Sequence, residues 1–451
     1  MTLEDLIIKI LEDEVVPAMG CTEPVAVALA CAKAKELLDF DEINNIEVFV
    51  SPNIYKNGLA VGIPKTDEVG LHIAAALGLM GGKSKNDLRV LEEINKEDVG
   101  AAKDFLKSGK LLLEIEDTKE KIYIGVNLFT NKGKAKVIIQ GKHNRFIYLE
   151  KEGEVILDTK EENIEAKDYS KILYNFKIRD IINEIEKISY EKISFMLDGL
   201  EMNEKIAHIG LSKESGMGVG FNLQRNIEKG ILGDDLMNHA MVLTAAASDA
   251  RMSGVNLPVM SSNGSGNNGL TVILPILAYI KKIQVDDEKI ARALAMSHII
   301  NSYIKHYIGR LSALCGCGVA AGTGASVGIA WLMGASKDQI DGTIKNMLAN
   351  TSGMICDGAK VGCALKLATS ASAAVQSALL AIGNNIVPSQ NGIVAETAEE
   401  TIENLGTLSD MGMNIADEVI LRVMRKMQRK FEEKRDSKKE EEYVKKANII
   451  A

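Results

Sequence analysis

Residues 311 to 334 contain no charged side chain, and glycine recurs within them at 316, 318, 322, 324, 328 and 334. So long a run without charge has to be hidden from water, in a bilayer or inside a large helical body. The spacings Gly318-x-x-x-Gly322 and Gly324-x-x-x-Gly328 let helices approach closely. Length alone satisfies a bilayer span, which takes roughly 20 residues. However, the glycines, Ser312, Thr323, Ser326 and two cysteines dilute the apolar character. Mean hydropathy of the chain is also near zero. The run therefore reads as a buried helix packed tightly on its neighbours, and no membrane partner is expected.

The chain has 451 residues, enough for two or three domains and a large core. Lys and Arg number 53 against 62 Asp and Glu, a net charge of −9. Without a basic surplus, nucleic acid is not an expected partner. Aromatics make up 4% of the chain, too few for a base-stacking platform. The start, Met1-Thr-Leu-Glu-Asp-Leu6, lacks the basic end and apolar core of a signal peptide, so a cytoplasmic location is expected. Six cysteines in such a chain suggest reduced thiols with ligand or catalytic roles, not a disulfide framework.

The pattern along the chain predicts an α+β fold. Residues 1 to 38 read as helix broken at Pro17, Gly20 and Pro24. Strands are expected at 46–50, 111–115, 122–129, 135–140 and 146–149, with mostly helix at 72–91. Asn131-Lys132-Gly133 and Lys151-Glu152-Gly153 are hairpin signals, so an antiparallel sheet is expected. From about 176 the pattern is helical, with candidates at 178–188, 193–210, 236–251, 286–305, 337–348 and 371–382. Residues 422–446 read as a solvated amphipathic helix and a frayed tail. These zones divide into a strand-rich domain, 1–175, and a mainly helical domain, 176–451, which carries the clustered cysteines.

Cys317, Cys356 and Cys363 sit among glycines, in Leu314-Cys-Gly-Cys-Gly318 and Met354-Ile-Cys-Asp-Gly-Ala-Lys-Val-Gly-Cys363. Three thiolates without a matching fourth can hold an iron–sulfur cluster and leave one iron open as a Lewis acid. Cys315 competes with Cys317. Gly353, Gly358 and Gly362 favour loops whose amides approach cluster sulfides. Zinc is the rival metal, with His298 and His306 as further candidate ligands, but only Cys315-x-Cys317 is tightly spaced. Buried, unligated cysteines fit the spacing equally well.

Met19-Gly-Cys-Thr-Glu-Pro24 places Cys21 just before a helix. A helix N-terminus offers free amides to a carboxylate and lowers a thiol pKa, which would suit a thiolate base or nucleophile. An ordinary turn capped by Thr22 is the plainer reading. Ser261-Ser-Asn-Gly-Ser-Gly-Asn-Asn-Gly269 is a polar loop opening a buried helix, rich in donors for a small polar ligand. It lacks the Gly-Lys-Ser/Thr end of a phosphate loop. Lys56, Lys305, Lys360 and Lys366 are candidates to pair with a carboxylate or tune a cluster, and none stands in a context marking a pyridoxal phosphate Schiff base.

These segments, together with Cys315-Gly-Cys-Gly-Val-Ala-Ala-Gly-Thr-Gly-Ala325 and Cys356-Asp-Gly-Ala-Lys-x-x-Cys-Ala-Leu-Lys366, closely resemble the L-cysteine desulfidase family. That family is related to the alpha region of the iron–sulfur L-serine dehydratases. The resemblance covers nearly the whole chain. It implies a [4Fe-4S] cluster, no pyridoxal phosphate, Cys317, Cys356 and Cys363 as ligands, and Cys21 as the base. It also implies β-elimination of L-cysteine to sulfide, pyruvate and ammonia. Thr22, Glu23, Ser262, Asn263, Asn267 and Asn268 are then the expected substrate binders, and a homodimer is expected. Cys315 stays an alternative to Cys317. The serine dehydratases place a serine-, histidine- and threonine-rich loop where Cys21 stands, so this chain leans toward the cysteine branch. L-Serine dehydration is the alternative activity, and a cluster-based redox sensor without turnover the alternative class.

Overall fold

The computed structural model describes residues 1–39, 42–159, 169–309, 311–413, 415–428 and 430. Helix α1 (Leu3–Glu14) opens on a capping box in which Thr2 and Asp5 bond each other's backbone N–H at 3.1 and 3.0 Å. Its buried stripe of Leu6, Ile7, Ile10 and Leu11 packs into the helical core that the later helices build. The short strand β1 (Pro17–Met19) follows. Helix α2 (Thr22–Glu36), alanine-rich and buried around most of its circumference, belongs instead to a second core shared with the sheet. The chain therefore crosses between two cores through β1, Gly20 and Cys21.

The main sheet contains β2 (Ile43–Val50), β3 (Leu111–Ile115), β4 (Tyr123–Thr130), β5 (Gly133–Gln140), β6 (Phe146–Lys151) and β7 (Glu154–Asp158) in the order β3-β2-β4-β5-β6-β7. Both expected hairpins form, between β4 and β5 and between β6 and β7. The expectation of an antiparallel sheet fails at one edge, where β2 and β3 pair in parallel from Ile46↔Leu111 to Val50↔Ile115. The chain between them includes helix α3 (Pro52–Gly58) and the helices Leu71–Met80 and Lys96–Lys107, and so supplies the long crossover a parallel pair needs. The helix expected over 72–91 stops at Met80; Gly81 and Gly82 follow, and then a 3₁₀ segment, Ser84–Arg89.

β8 (Pro258–Met260) pairs with β1 in a two-stranded antiparallel ribbon that ties the N-terminus to the helical half. That half is built on the helices Leu236–Met252, Gly266–Lys282, Asp287–Ile308, Gly322–Leu332, Lys337–Thr351 and Cys363–Ile382. The charge-free run at 311–334 is not one helix. It is a loop, a π-turn at Cys317–Ala321 and an 11-residue α-helix, Gly322–Leu332. At 1.5 Å per residue that helix is roughly 16 Å long, about half a hydrocarbon core. Its apolarity is explained by burial, since Gly322 through Ala330 are all buried. Among the described residues one helix, Cys363–Ile382, is long and apolar enough to cross a membrane, and 56% of its apolar window is buried within the protein. Residues 415–428 are helical, and the tail expected beyond them lies mostly outside the described residues.

Small side chains set the helix spacing. A Cβ on Gly324 would stand 2.2 Å from the Ser297 carbonyl oxygen in the neighbouring helix. Gly324→Val is expected to cost about 2–3 kcal/mol through overpacking, read as a lowered thermal midpoint. An unchanged midpoint would contradict this close crossing.

Candidate active site

Where the two cores meet, one cavity of about 90 Å³ is lined by residues from widely separated segments. Cys21, Thr22 and Glu23 come from the start of α2, and Asn263 to Asn268 from the polar loop. Arg251 comes from the helix Leu236–Met252, Cys315 and Cys317 from the glycine-rich loop, and Cys356, Gly358 and Cys363 from the following segment. Lys305, Lys366 and His143 complete its walls.

Gly20, at φ +69°, turns the backbone so that Cys21 becomes the N-cap of α2. The Cys21 side chain makes no capping hydrogen bond. Cys21 is 4% exposed, and burial pushes its thiol up to about 12 even though Arg251 beside it favours the thiolate. The lowering expected from the helix N-terminus is therefore reversed by desolvation. Thr22 Oγ1 donates to Glu23 Oε2 at 3.1 Å and to the Gly264 carbonyl at 3.2 Å, joining α2 to the polar loop.

That loop turns tightly at Asn263 and Gly264, both at positive φ (50° and 72°), with Ser262 and Ser265 exchanging backbone hydrogen bonds at 3.1 Å. Asn-Gly at these two positions makes it a type I′ turn. Ser265 then caps the helix Gly266–Lys282 and lies 4.0 Å from Cys317 Sγ. Asn263, Asn267 and Asn268 line the cavity as expected, but Ser262 is not among its lining residues. The Ser262 hydroxyl is held by Asn301 Nδ2 and His298 Nδ1, both at 2.9 Å. Burial drives His298 down to about 3, so it is a neutral partner here. Asn263 Oδ1 likewise accepts from Asn301 and Ser302, at 2.8 and 3.1 Å.

The two cysteine segments are braced against each other. Cys315 N–H donates to the Met354 carbonyl at 2.8 Å, and Cys356 N–H donates to the Ala313 carbonyl at 2.7 Å. Ser370 Oγ donates to the Gly318 carbonyl at 2.7 Å, tying the Cys317 turn to the helix that Cys363 begins. Gly358, at φ +94°, packs its Cα onto α3, where a Cβ would come 2.2 Å from the Lys56 carbonyl oxygen. Gly358→Ala is expected to destabilise by about 1–3 kcal/mol through backbone strain and to lower iron retention. Normal iron content and thermal midpoint would contradict that role.

Lysines surround the thiols. Lys56, 2% exposed, donates to the Cys356 carbonyl at 3.3 Å and to Asp417 at 2.6 Å. Lys366 and Lys360 both pair with Asp357 at 2.5 Å, which holds its carboxyl down near 2 against the cost of burial. Cys317 donates to Cys315, holding the Cys315 thiol down to about 6, with the Gly318 N–H, Lys366 and Lys305 contributing. Giving that bond, together with burial, pushes Cys317 up. Burial also raises Cys356, and it takes Cys363 to about 11.

Among the described residues, no three His, Cys, Asp or Glu side chains gather round a single metal ion. Four thiols besides Cys21 nevertheless line one cavity, as ligands to separate irons of a cluster would. The lysines would compensate the negative charge of bound thiolates, and the glycines at 316, 318 and 358 let Lys305, Met354 and the Lys56 backbone pack close beside the cysteine segments. The donor set fits an iron–sulfur cluster.

Arg251, Asn57 and His143 are cavity residues that no sequence motif marked. His143 comes from the β5–β6 hairpin of the sheet, a stretch with no expected function.

Residues 85–422 match the serine dehydratase alpha chain family. The chain is also 63% identical over 428 residues to a UPF0597 protein of Alkaliphilus oremlandii, covering 95% of this chain and 100% of that one. A UPF0597 protein of Clostridioides difficile is 54% identical, over 93% of this chain and 99% of its own length. One from Caldanaerobacter subterraneus is 46% identical, over 94% and 100%.

Proposed function

Because the chain belongs to the serine dehydratase alpha chain family, a family associated with iron–sulfur clusters, we propose that it is a lyase that eliminates sulfide from L-cysteine. The observation that carries this reading is the convergence of Cys21 and four further cysteines on one cavity at the meeting of the two cores. Cys356, Cys363 and Cys317 would hold a [4Fe-4S] cluster, with Cys315 the alternative to Cys317. When bound, such a cluster supplies an open iron that stabilises the departing sulfide as a Lewis acid.

The chain's own groups do the rest. Cys21 removes the α-proton as the thiolate, the form that the Arg251 guanidinium beside it favours against the burial that keeps the resting thiol protonated. The electron pair of the C–H bond forms the α–β double bond, and the β-carbon–sulfur bond breaks. The product, aminoacrylate, takes up water and gives pyruvate and ammonia. Thr22, Glu23, Asn263, Asn267 and Asn268 line the space around the substrate and orient it, which is worth more than any single contact. Burial keeps water from Cys21, so its proton transfer is directed to the substrate.

L-Serine dehydration is the second reading, favoured by the name of the matched family. Anaerobically reconstituted protein assayed with both amino acids separates the two: kcat/KM for L-cysteine is expected to exceed that for L-serine. A higher value for L-serine would transfer the assignment. Comparing Cys315→Ser with Cys317→Ser identifies the third ligand, and iron loss is expected in Cys317→Ser.

A further inference from the structure

We infer that Arg251 anchors the α-carboxylate of the amino acid substrate, with Asn268 Oδ1 receiving its ammonium group; this rests on the reading of the cavity as an amino acid lyase site. Arg251 is 4% exposed. Its Nη1 donates to Asn267 Oδ1 at 3.0 Å and its Nη2 to the Gly20 carbonyl at 2.7 Å. Both partners are neutral, and no carboxylate pairs with the guanidinium among the described residues. Nε, also buried, has no hydrogen-bond partner. A buried charge without a counter-charge costs several kcal/mol, and a guanidinium cannot shed its proton to avoid that cost. Arg251 lines the cavity that also holds Cys21 and the cysteine loop.

The surroundings match an anion of carboxylate size. The helices Thr22–Glu36 and Gly266–Lys282 both begin at this cavity, and their free N–H groups add to the positive potential. Gly266 lets the guanidinium lie against the start of the second of these helices, since a Cβ there would come 2.4 Å from Arg251 Nε. A planar guanidinium pairs with a carboxylate through two parallel hydrogen bonds. Asn268, 1% exposed, carries a buried Oδ1 without a partner on the same cavity. A Cβ on Gly316 would stand 3.7 Å from that oxygen, so it faces the cysteine loop. One unpaired donor and one unpaired acceptor in a single cavity describe an α-amino acid zwitterion.

Arg251 also bonds Cys21, so a role confined to that thiol is the competing explanation. An amino acid with no leaving group tells the two apart, because it binds without needing the base. Calorimetry on the reconstituted full chain is expected to show L-alanine binding at least about tenfold more tightly than L-alaninamide, a difference of one ion-paired contact. Arg251→Gln should weaken L-alanine at least about tenfold and leave L-alaninamide unchanged, and Arg251→Lys should recover part of the loss. Equal binding of acid and amide to the wild-type protein, or wild-type affinity for L-alanine in Arg251→Gln, overturns the assignment. The acid–amide comparison needs no variant, so it holds even if Arg251→Gln fails to fold. If L-alanine binding depends on Arg251 while neither L-cysteine nor L-serine turns over, the carboxylate site stands and the lyase reading falls.

Discussion

Cys21→Ala is expected to lower turnover of L-cysteine by about 10²–10⁴-fold, the usual contribution of a positioned acid–base group, and to leave iron content and visible absorption unchanged. The fold has little to lose at this position. The Cys21 side chain makes no capping bond, so α2 keeps its start without the thiol. The remaining cost is one buried sulfur, about 1 kcal/mol. Cys363 packs against the small apolar cluster that contains Cys21, so a ligand role has to be tested alongside the base role. Iron loss in Cys21→Ala would make it a ligand. Retained iron with retained turnover would remove it from the chemistry. Slow exchange of the α-proton of L-alanine with deuterated solvent should be present in the wild-type protein and absent in the variant.

Cys363→Ala and Cys356→Ala are expected to fail at an earlier stage, losing most of their iron and with it activity, by about 10³-fold or more. That is the equivalent of several kcal/mol of leaving-group stabilisation. Secondary structure should survive. Cys363 begins its helix through a backbone bond to the Lys360 carbonyl at 2.9 Å, and its sulfur makes only a 3.7 Å contact with the Gly358 carbonyl. Iron per chain and far-ultraviolet circular dichroism, measured on the same samples, check both statements. Full iron retention in either variant would remove that cysteine from the ligand set.

Much of this architecture was legible in the sequence because it follows from local rules. Asn131-Lys132-Gly133 and Lys151-Glu152-Gly153 gave both hairpins, since their glycines supply the positive φ that such turns need. The charge-free run announced close helix packing, and Gly324 against Ser297 shows why. What local pattern could not supply was pairing across long separations. The parallel β2–β3 edge depends on a crossover of some sixty residues whose helices carry weak signals; Lys96–Lys107 buries only Ala102. The division of α1 and α2 between two cores depends on the β1–β8 ribbon, which joins residues 17–19 to 258–260.

The site divides in the same way. The glycine-flanked cysteines and the Asn-rich loop were visible because their residue types are unusual in sequence. Arg251 was not, because Ser248-Asp-Ala-Arg-Met252 resembles the end of any helix. Its meaning appears only when Gly20 and Asn267 close around it. Ser262 shows the opposite case: its residue type suggested a ligand contact, and folding committed its hydroxyl to Asn301 and His298. A helix terminus alone predicts a lowered Cys21 pKa, and the burial of the thiol outweighs that effect.

The central claim is that this cavity, loaded with iron and sulfide, carries out β-elimination of L-cysteine. The most direct test is an anaerobic assay of the full chain before and after reconstitution, measuring sulfide, pyruvate and ammonia together. The account predicts equimolar formation of all three from L-cysteine by the iron-loaded protein and none by the iron-free protein. A fully loaded protein that releases no pyruvate from L-cysteine or L-serine, or equal activity without iron, would contradict it.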